Sequence, residues 1–149
     1  MEKLNIYVIA SESTSESETN AIDQLKDVFN VRTAEHSNEF NDSILQAIAL
    51  QTRVKSIRRN VRSCDFLVIV LSGTVSSDTI IQDVAFAVGI ASELMKPTFI
   101  FNDKHNMFGK GYVSCWYFAG SMEYFTEIGC MKDRLLVLSE QFHKARLTT

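Results

Sequence analysis

The run DFLVIVLS, residues 65–72, decides the fold. From Phe66 to Leu71 every position is apolar, so no face is left for water, and the run is too short to be a helix of ordinary length. A strand covered on both sides reads this way, whereas a half-exposed strand alternates apolar and polar residues. Two further stretches share the character: LNIYVIA (4–10) and KPTFIFND (96–103), the latter entered through the only proline, Pro97. Working outward, the segments between them carry the helical period instead. ETNAIDQLKDVF (18–29) places Ala21, Ile22, Leu25, Val28 and Phe29 at helical spacing. NDSILQAIALQTRVKSIRRNVRS (41–63) repeats it through Ile44, Ile48, Gln51, Val54, Ile57 and Val61, with Asn41, Asp42 or Ser43 available as cap. SSDTIIQDVAFAVGIASELMKP (76–97) is mostly helical. NVRTA (30–34) is a weaker strand, YVSCWYF (112–118) is expected as the last strand, and SMEYFTEIGCMKDRLLVLSEQFHKA (121–145) as a helix broken near Gly129. Strands that alternate with helices, with central strands apolar throughout, predict an α/β fold: an open, mainly parallel sheet of about five strands with helices on both faces.

The 149 residues fit one domain, 1–149, and 46% apolar content is enough for a full core. A net charge of −3 argues against binding polyanions through bulk electrostatics, so nucleic acid is not the expected partner. MEKLNIYVIA lacks the basic region, apolar core and cleavage site of a signal peptide, and no apolar run of membrane-spanning length is free of charge. Cys64, Cys115 and Cys130 are odd in number and far apart, which fits reduced thiols and a cytoplasmic location. With no Cys-x-x-Cys pair and with His36, His105 and His143 scattered, neither a zinc site nor another cofactor is expected.

In parallel α/β sheets ligands sit at the carboxyl ends of the strands. Here those ends lead into 10–16, 72–78, 102–109 and 118–121. The join LSGTVSSDTIIQD (71–83) groups hydroxyls at Ser72, Thr74, Ser76, Ser77 and Thr79 around a helix N-terminus, where free N–H groups favour an anion. Asp78 reads as a cap at the mouth of such a site. Asp83 lies deeper in an apolar helix, where an acid is costly unless paired or near water; it is either a dipole-stabilised first-turn acid or a functional carboxylate. The loop ASESTSESE (10–18) has no glycine and is no P-loop, but it offers the hydroxyls of Ser11 and Ser13. Lys55, Arg58, Arg59 and Arg62 fall on one helical side, as a solvated stripe or with Arg58 or Arg62 reaching a phosphate. Trp116, Tyr117, Phe118, Tyr124 and Phe125 are core residues or the lining of a base pocket.

CDFLVIVLS, a polar loop with Ser76 and Ser77, and a helix with an early acid resemble the TIR domains. Their Ser-x-Trp-Cys-x-x-Glu pattern, whose Glu is catalytic in members that cleave NAD, corresponds here to Ser77, Thr79, Ile80 and Asp83. A bacterial TIR-like group that binds nucleotides has an Asp-Asn-Val-Ile-Phe-Glu-Leu-Gly run, whose spacing Asp78 to Ala85 matches. The chain equally resembles the nucleoside 2-deoxyribosyltransferase superfamily. That superfamily opens on an Ile-Tyr-type strand (here Ile6-Tyr7-Val8-Ile9-Ala10) and sets a nucleophilic Glu in Glu-(Leu/Ile)-Gly-x-Ala before a Lys-Pro strand start. Asp83-Val84-Ala85-Phe86-Ala87 and Lys96-Pro97 take those places. As architecture the likeness spans residues 4 to 103; as motif it is confined to 65–97. The acid is Asp rather than Glu, the TIR tryptophan is Thr79, and the helical Asp that deoxyribosyltransferases use has no counterpart in 55–59.

The resemblance implies a flavodoxin-like or TIR-like α/β domain that takes NAD, a nucleoside monophosphate or a related nucleotide and cleaves or transfers at an N-glycosidic bond. Asp83 would stabilise or attack the oxocarbenium-like sugar, with Ser11, Ser72, Ser77, Asp78 and Arg58 holding ribose or phosphate. Shortening Glu to Asp withdraws the carboxylate by about one bond, and a misplacement of about 1 Å costs about 100-fold in rate. The alternative is an inactive ligand sensor or a homotypic interaction module, and homo-oligomers are expected under either reading. The discriminator is local: Asp83 facing an open cleft with Ser11 and Ser72 favours the ligand site, while a carboxylate sealed by an intrachain partner weighs against it.

Overall fold

Leu67, Val68 and Ile69 have no accessible surface because the run that opened the sequence is the middle strand of the sheet. The structure is a computed structural model that describes residues 2–10, 15–34, 41–72, 78–103 and 122–148. The elements are β1 (Asn5–Ala10), α1 (Glu16–Lys26), β2 (Asn30–Thr33), α2 (Ser43–Ser63), β3 (Phe66–Leu71), α3 (Asp78–Glu93), β4 (Thr98–Asn102), β5 (Met122–Phe125) and α4 (Ile128–Thr148). The sheet has the order β2-β1-β3-β4-β5, and every pair is parallel. Ile6 to Ala10 register with Phe66 to Val70, and Leu67 to Leu71 with Thr98 to Asn102. The expected α/β fold with helices on both faces is what the chain adopts.

Alternation along the strands divides the core into two layers. Tyr7, Ile9, Leu67, Ile69, Leu71 and Ile100 face α2 and α3, where Ile57, Val61, Ile80, Val84, Ala87, Val88 and Ala91 meet them. Ile6, Val8, Ala10, Phe66, Val68, Val70, Phe99 and Phe101 face α1 and α4, against Ala21, Ile22, Leu25, Met131 and Leu135. No helix of the described residues is long and apolar enough to cross a membrane.

The helix ends follow side-chain chemistry. Ser15 caps α1, its Oγ accepting from Glu18 N at 3.2 Å. Asp42 caps α2, its Oδ1 accepting from the N–H groups of Ile44 and Leu45 at 2.9 and 3.1 Å. At the other end of α2, Lys96 Nζ donates to the carbonyls of Arg62 and Cys64 at 3.0 and 2.6 Å. Just past α3, Met95 stands at φ 56, while Lys96 N donates back to Ala91 O at 2.8 Å; this is a left-handed helix stop built without glycine.

Three expectations need correction. Met122–Phe125 is a strand, not the start of the last helix, because it pairs in parallel with Thr98–Phe101. Gly129 lies inside the first turn of α4 and breaks nothing. The apolar spacing of α2 was also misleading in its first half: Ile44, Ile48 and Val54 are exposed, and burial begins in earnest at Ile57. The strand expected at 112–118 lies outside the described residues, as do Trp116, Tyr117 and Phe118.

Candidate functional site

Strand order reverses beside β1: the chain leaves β1 towards β2 on one side and, after β3, proceeds to β4 on the other. Loops that diverge from neighbouring parallel strands open a crevice at their carboxyl ends. Here the carboxyl ends of β1 and β3, Ala10 and Leu71, belong to neighbouring strands, and the chain goes on from them to α1 and α3. Ser72 follows directly on β3 and is half-buried. Asp78 opens α3, but its side chain lies outside the described residues, as do Ser11 and Ser77 altogether.

Asp83 sits in the second turn of α3 and is 8% exposed. An ionised carboxylate at that depth needs a countercharge, and α2 supplies one: Arg53 Nη2 donates to Asp83 Oδ2 in an ion pair buried from both sides. The pairing is possible because α2 and α3 run side by side in the same direction, with Arg53 on the inward side of α2, one turn ahead of Ile57 and two ahead of Asn60 and Val61. The Arg53 Nε is buried and has no acceptor among the described residues.

Tyr7 of β1 lies in the field of both partners. Its hydroxyl is hydrogen-bonded to Asn60, and its pKa is pushed up to about 12, by burial first and then, against the Asn60 hydrogen bond, by the Asp83 charge. Asn60 Oδ1 in turn accepts from Arg32 Nη1 at 3.1 Å, and Arg32 is the β2 residue that Tyr7 registers with. A polar line therefore runs under α2 through an otherwise aliphatic layer, from Arg32 past Asn60 and Tyr7 to Arg53 and Asp83. Beside its outer end a cavity of about 220 Å³ is lined by Asn5, Tyr7, Asn30, Arg32, Asn60 and Cys64. Burial also raises the Cys64 thiol, to about 11, which leaves it protonated and a poor nucleophile.

The expected site residues thus separate. Asp83 and Ser72 belong to the carboxyl-end region, but Asp83 is closed by an intrachain partner rather than presented free. Arg58 does not join them: its guanidinium lies 5.9 Å over the Phe86 ring on the outer side of α2, beside a groove of about 400 Å³ between α2 and α3. The cation that reaches the carboxylate is Arg53, which the basic stripe passed over. Its signal was in the spacing, because Arg53, Ile57 and Asn60 share one helical face while Lys55, Arg58, Arg59 and Arg62 share the other. Glu18, where the loop 10–18 meets the helical run 18–29 in the sequence, is 4% exposed, with Ser15 Oγ donating to its Oε1 at 3.3 Å. Asn102, at the end of β4, is fully buried. Among the described residues no group of His, Cys, Asp and Glu is arranged to hold a metal ion.

Sheet order and parallel register define a doubly wound α/β chain of the nucleoside deoxyribosyltransferase-like fold. No protein-family model matches the sequence, and no curated protein does. Among solved structures it is similar to a 2-deoxyribosyltransferase from the psychrotolerant bacterium Bacillus psychrosaccharolyticus. The match covers 86% of this chain and 90% of that one, at 13% identity and a TM-score of 0.57. At that identity the likeness is one of fold.

Proposed function

We propose that the chain binds a nucleoside or nucleotide in the crevice beyond β1 and β3 and acts on its N-glycosidic bond, by transfer or hydrolysis. The observation that carries this reading is the fold shared with a 2-deoxyribosyltransferase, together with a carboxylate, Asp83, in the second turn of the helix that follows β3. The chemistry suits the group. Departure of the base leaves an oxocarbenium-like sugar, and a fixed anion beside it either shares its charge or closes on the sugar carbon.

The ion pair sets the terms of that chemistry. Arg53 keeps Asp83 ionised but neutralises much of the field a cationic sugar would feel. Turnover then requires the guanidinium to be drawn away, and an anionic ligand group does that best: a phosphate offers Arg53 a bidentate alternative to the carboxylate. The spare Nε is a further donor for such a group. This favours nucleoside monophosphates, or NAD, over free nucleosides. The same ion pair closes the carboxylate with an intrachain partner, which weighs against an open ligand site and favours the second reading, a chain without catalysis that acts as a ligand sensor or as an interaction module.

The test is incubation with nucleosides, nucleoside monophosphates and NAD, with free base followed by chromatography and binding by calorimetry. Base release that is lost in Asp83→Asn supports the enzyme. Binding without base release supports the sensor. Neither binding nor release with any of the three ligand types overturns both.

A further inference from the structure

We propose that the cavity under the last turns of α2, at the amino ends of β1 and β2, is a binding site for a small molecule that carries a carboxylate or phosphate group, held there by Arg32. The cavity measures about 220 Å³, less than the about 300–1,000 Å³ of pockets that take drug-sized ligands. Its occupant is therefore smaller than a nucleotide. The cavity lies at the opposite end of the sheet from Ala10 and Leu71: Asn5 and Asn30 are the first residues of their strands, and Cys64 is the C-cap of α2. Asn5 registers with Asn30 and Tyr7 with Arg32, so these four side chains share the face of the sheet that α2 covers. Asn60, Ser63 and Cys64 close the cavity from the helix side.

Charge selects the ligand. Among the described residues that line the cavity, the Arg32 guanidinium is the one side chain ionised at neutral pH. Tyr7 and Cys64 stay protonated there, since burial raises them to about 12 and about 11, so neither repels an anion. Asp65, next along the chain from Cys64, is engaged elsewhere: it accepts from Asn5 N at 2.8 Å and pairs with Arg146 at 3.4 Å. The carbonyls that end α2 would oppose an anion, but Lys96 Nζ donates to those of Arg62 and Cys64 at 3.0 and 2.6 Å and offsets them. Arg32 meets no carboxylate among the described residues. Its hydrogen bond from Nη1 to Asn60 Oδ1, at 3.1 Å, steadies the guanidinium and leaves Nε and Nη2 to donate. Two such N–H groups match two oxygens of a carboxylate or phosphate. Asn30 is fixed as well, its Nδ2 donating to Lys3 O and Asn5 Oδ1 at 3.2 Å each, so this wall needs little ordering when a ligand arrives. Arg32 is exposed on the edge strand β2, which gives the ligand its way in. The site uses neither Asp83 nor Ser72, so it stands or falls apart from the function proposed above.

Titration of the full chain with inorganic phosphate and, separately, with acetate tests it, at constant ionic strength and followed by backbone amide shifts in NMR. The amides of Arg32, Asn60 and Ser63 shift and saturate in the millimolar range with at least one of the two anions, and the anion that saturates tells a phosphate site from a carboxylate site. Arg32→Gln weakens this binding about tenfold or more. Arg32→Lys keeps the charge but loses the planar fork, and weakens it to a similar extent. Arg59→Gln removes an exposed cation from the outer side of α2 and leaves the binding unchanged. The dispersion of each variant's own spectrum reports that it is folded. No saturable shift with either anion overturns the proposal, and so do saturable shifts confined to other parts of the chain. Binding retained in Arg32→Gln or Arg32→Lys overturns it too, as does binding lost in Arg59→Gln.

Discussion

The carboxylate of Asp83 lies among Ile80, Val84 and Ala87, and its charge is tolerable there because Arg53 reaches it from the neighbouring helix. Removing one member of a buried pair strands the other. Arg53→Met is therefore expected to cost about 3 kcal/mol in urea denaturation, and the double variant Arg53→Met/Asp83→Leu to recover most of that loss. Tyr7 gives the site a second signature, in pH. Its hydroxyl titrates near 10.0 when unfolded and near 12 when folded. The folded state thus holds the proton more tightly, its advantage is complete below pH 10, and it is lost as pH rises from 10 to about 12. The fall amounts to about 2 kcal/mol and is absent in Tyr7→Phe. Cys64 adds a similar slope between pH 9.0 and about 11 in both proteins, so the comparison is made on the difference. At this scale the sequence marked Asp83 as anomalous for its surroundings, but not what relieves it. A cost of burial is written in neighbouring residues, whereas the countercharge comes from thirty positions away.

Helices α2 and α3 show where the periodicity of an element informs and where it misleads. The cap at Asp42 was legible, because a short acid before an apolar-periodic run has N–H groups to accept from; Asp42→Ala is expected to cost about 1 kcal/mol by chemical denaturation. The stop of α3 was not legible. Met95 carries the left-handed turn that glycine adopts without strain, and its side chain is 89% exposed. Met95→Gly is expected to stabilise by about 1 kcal/mol in the same measurement, since it relieves strain and gives up little packing. The apolar spacing of α2 misled for a physical reason: Ile44 and Ile48 fall on the helical side of Lys55 and Arg59, opposite Arg53, Ile57 and Asn60, so the apolar residues of its first half share no face with the buried ones of its second. In the same way MEYF reads as helix or strand by itself, and only the open edge of β4 recruits it as β5.

Across the whole molecule, protection should follow the layering. Amide hydrogen exchange is expected to be slowest in β3, which is paired on both edges and covered on both faces, and fastest among the helices in the opening turns of α2. The sequence by itself determined the α/β class, the parallel sheet and the cover on both faces of Phe66–Leu71, because a strand buried on both faces must be apolar at every position and so announces its surroundings. It also singled out Asp83. Only the tertiary structure decided that Arg53 rather than Arg58 meets that carboxylate, that Tyr7 and Asn60 extend a polar line beneath α2, and that Ile44 and Ile48 stand outside the core. These outcomes depend on how far one helix extends past another and which sides they turn to each other, and no local spacing records that.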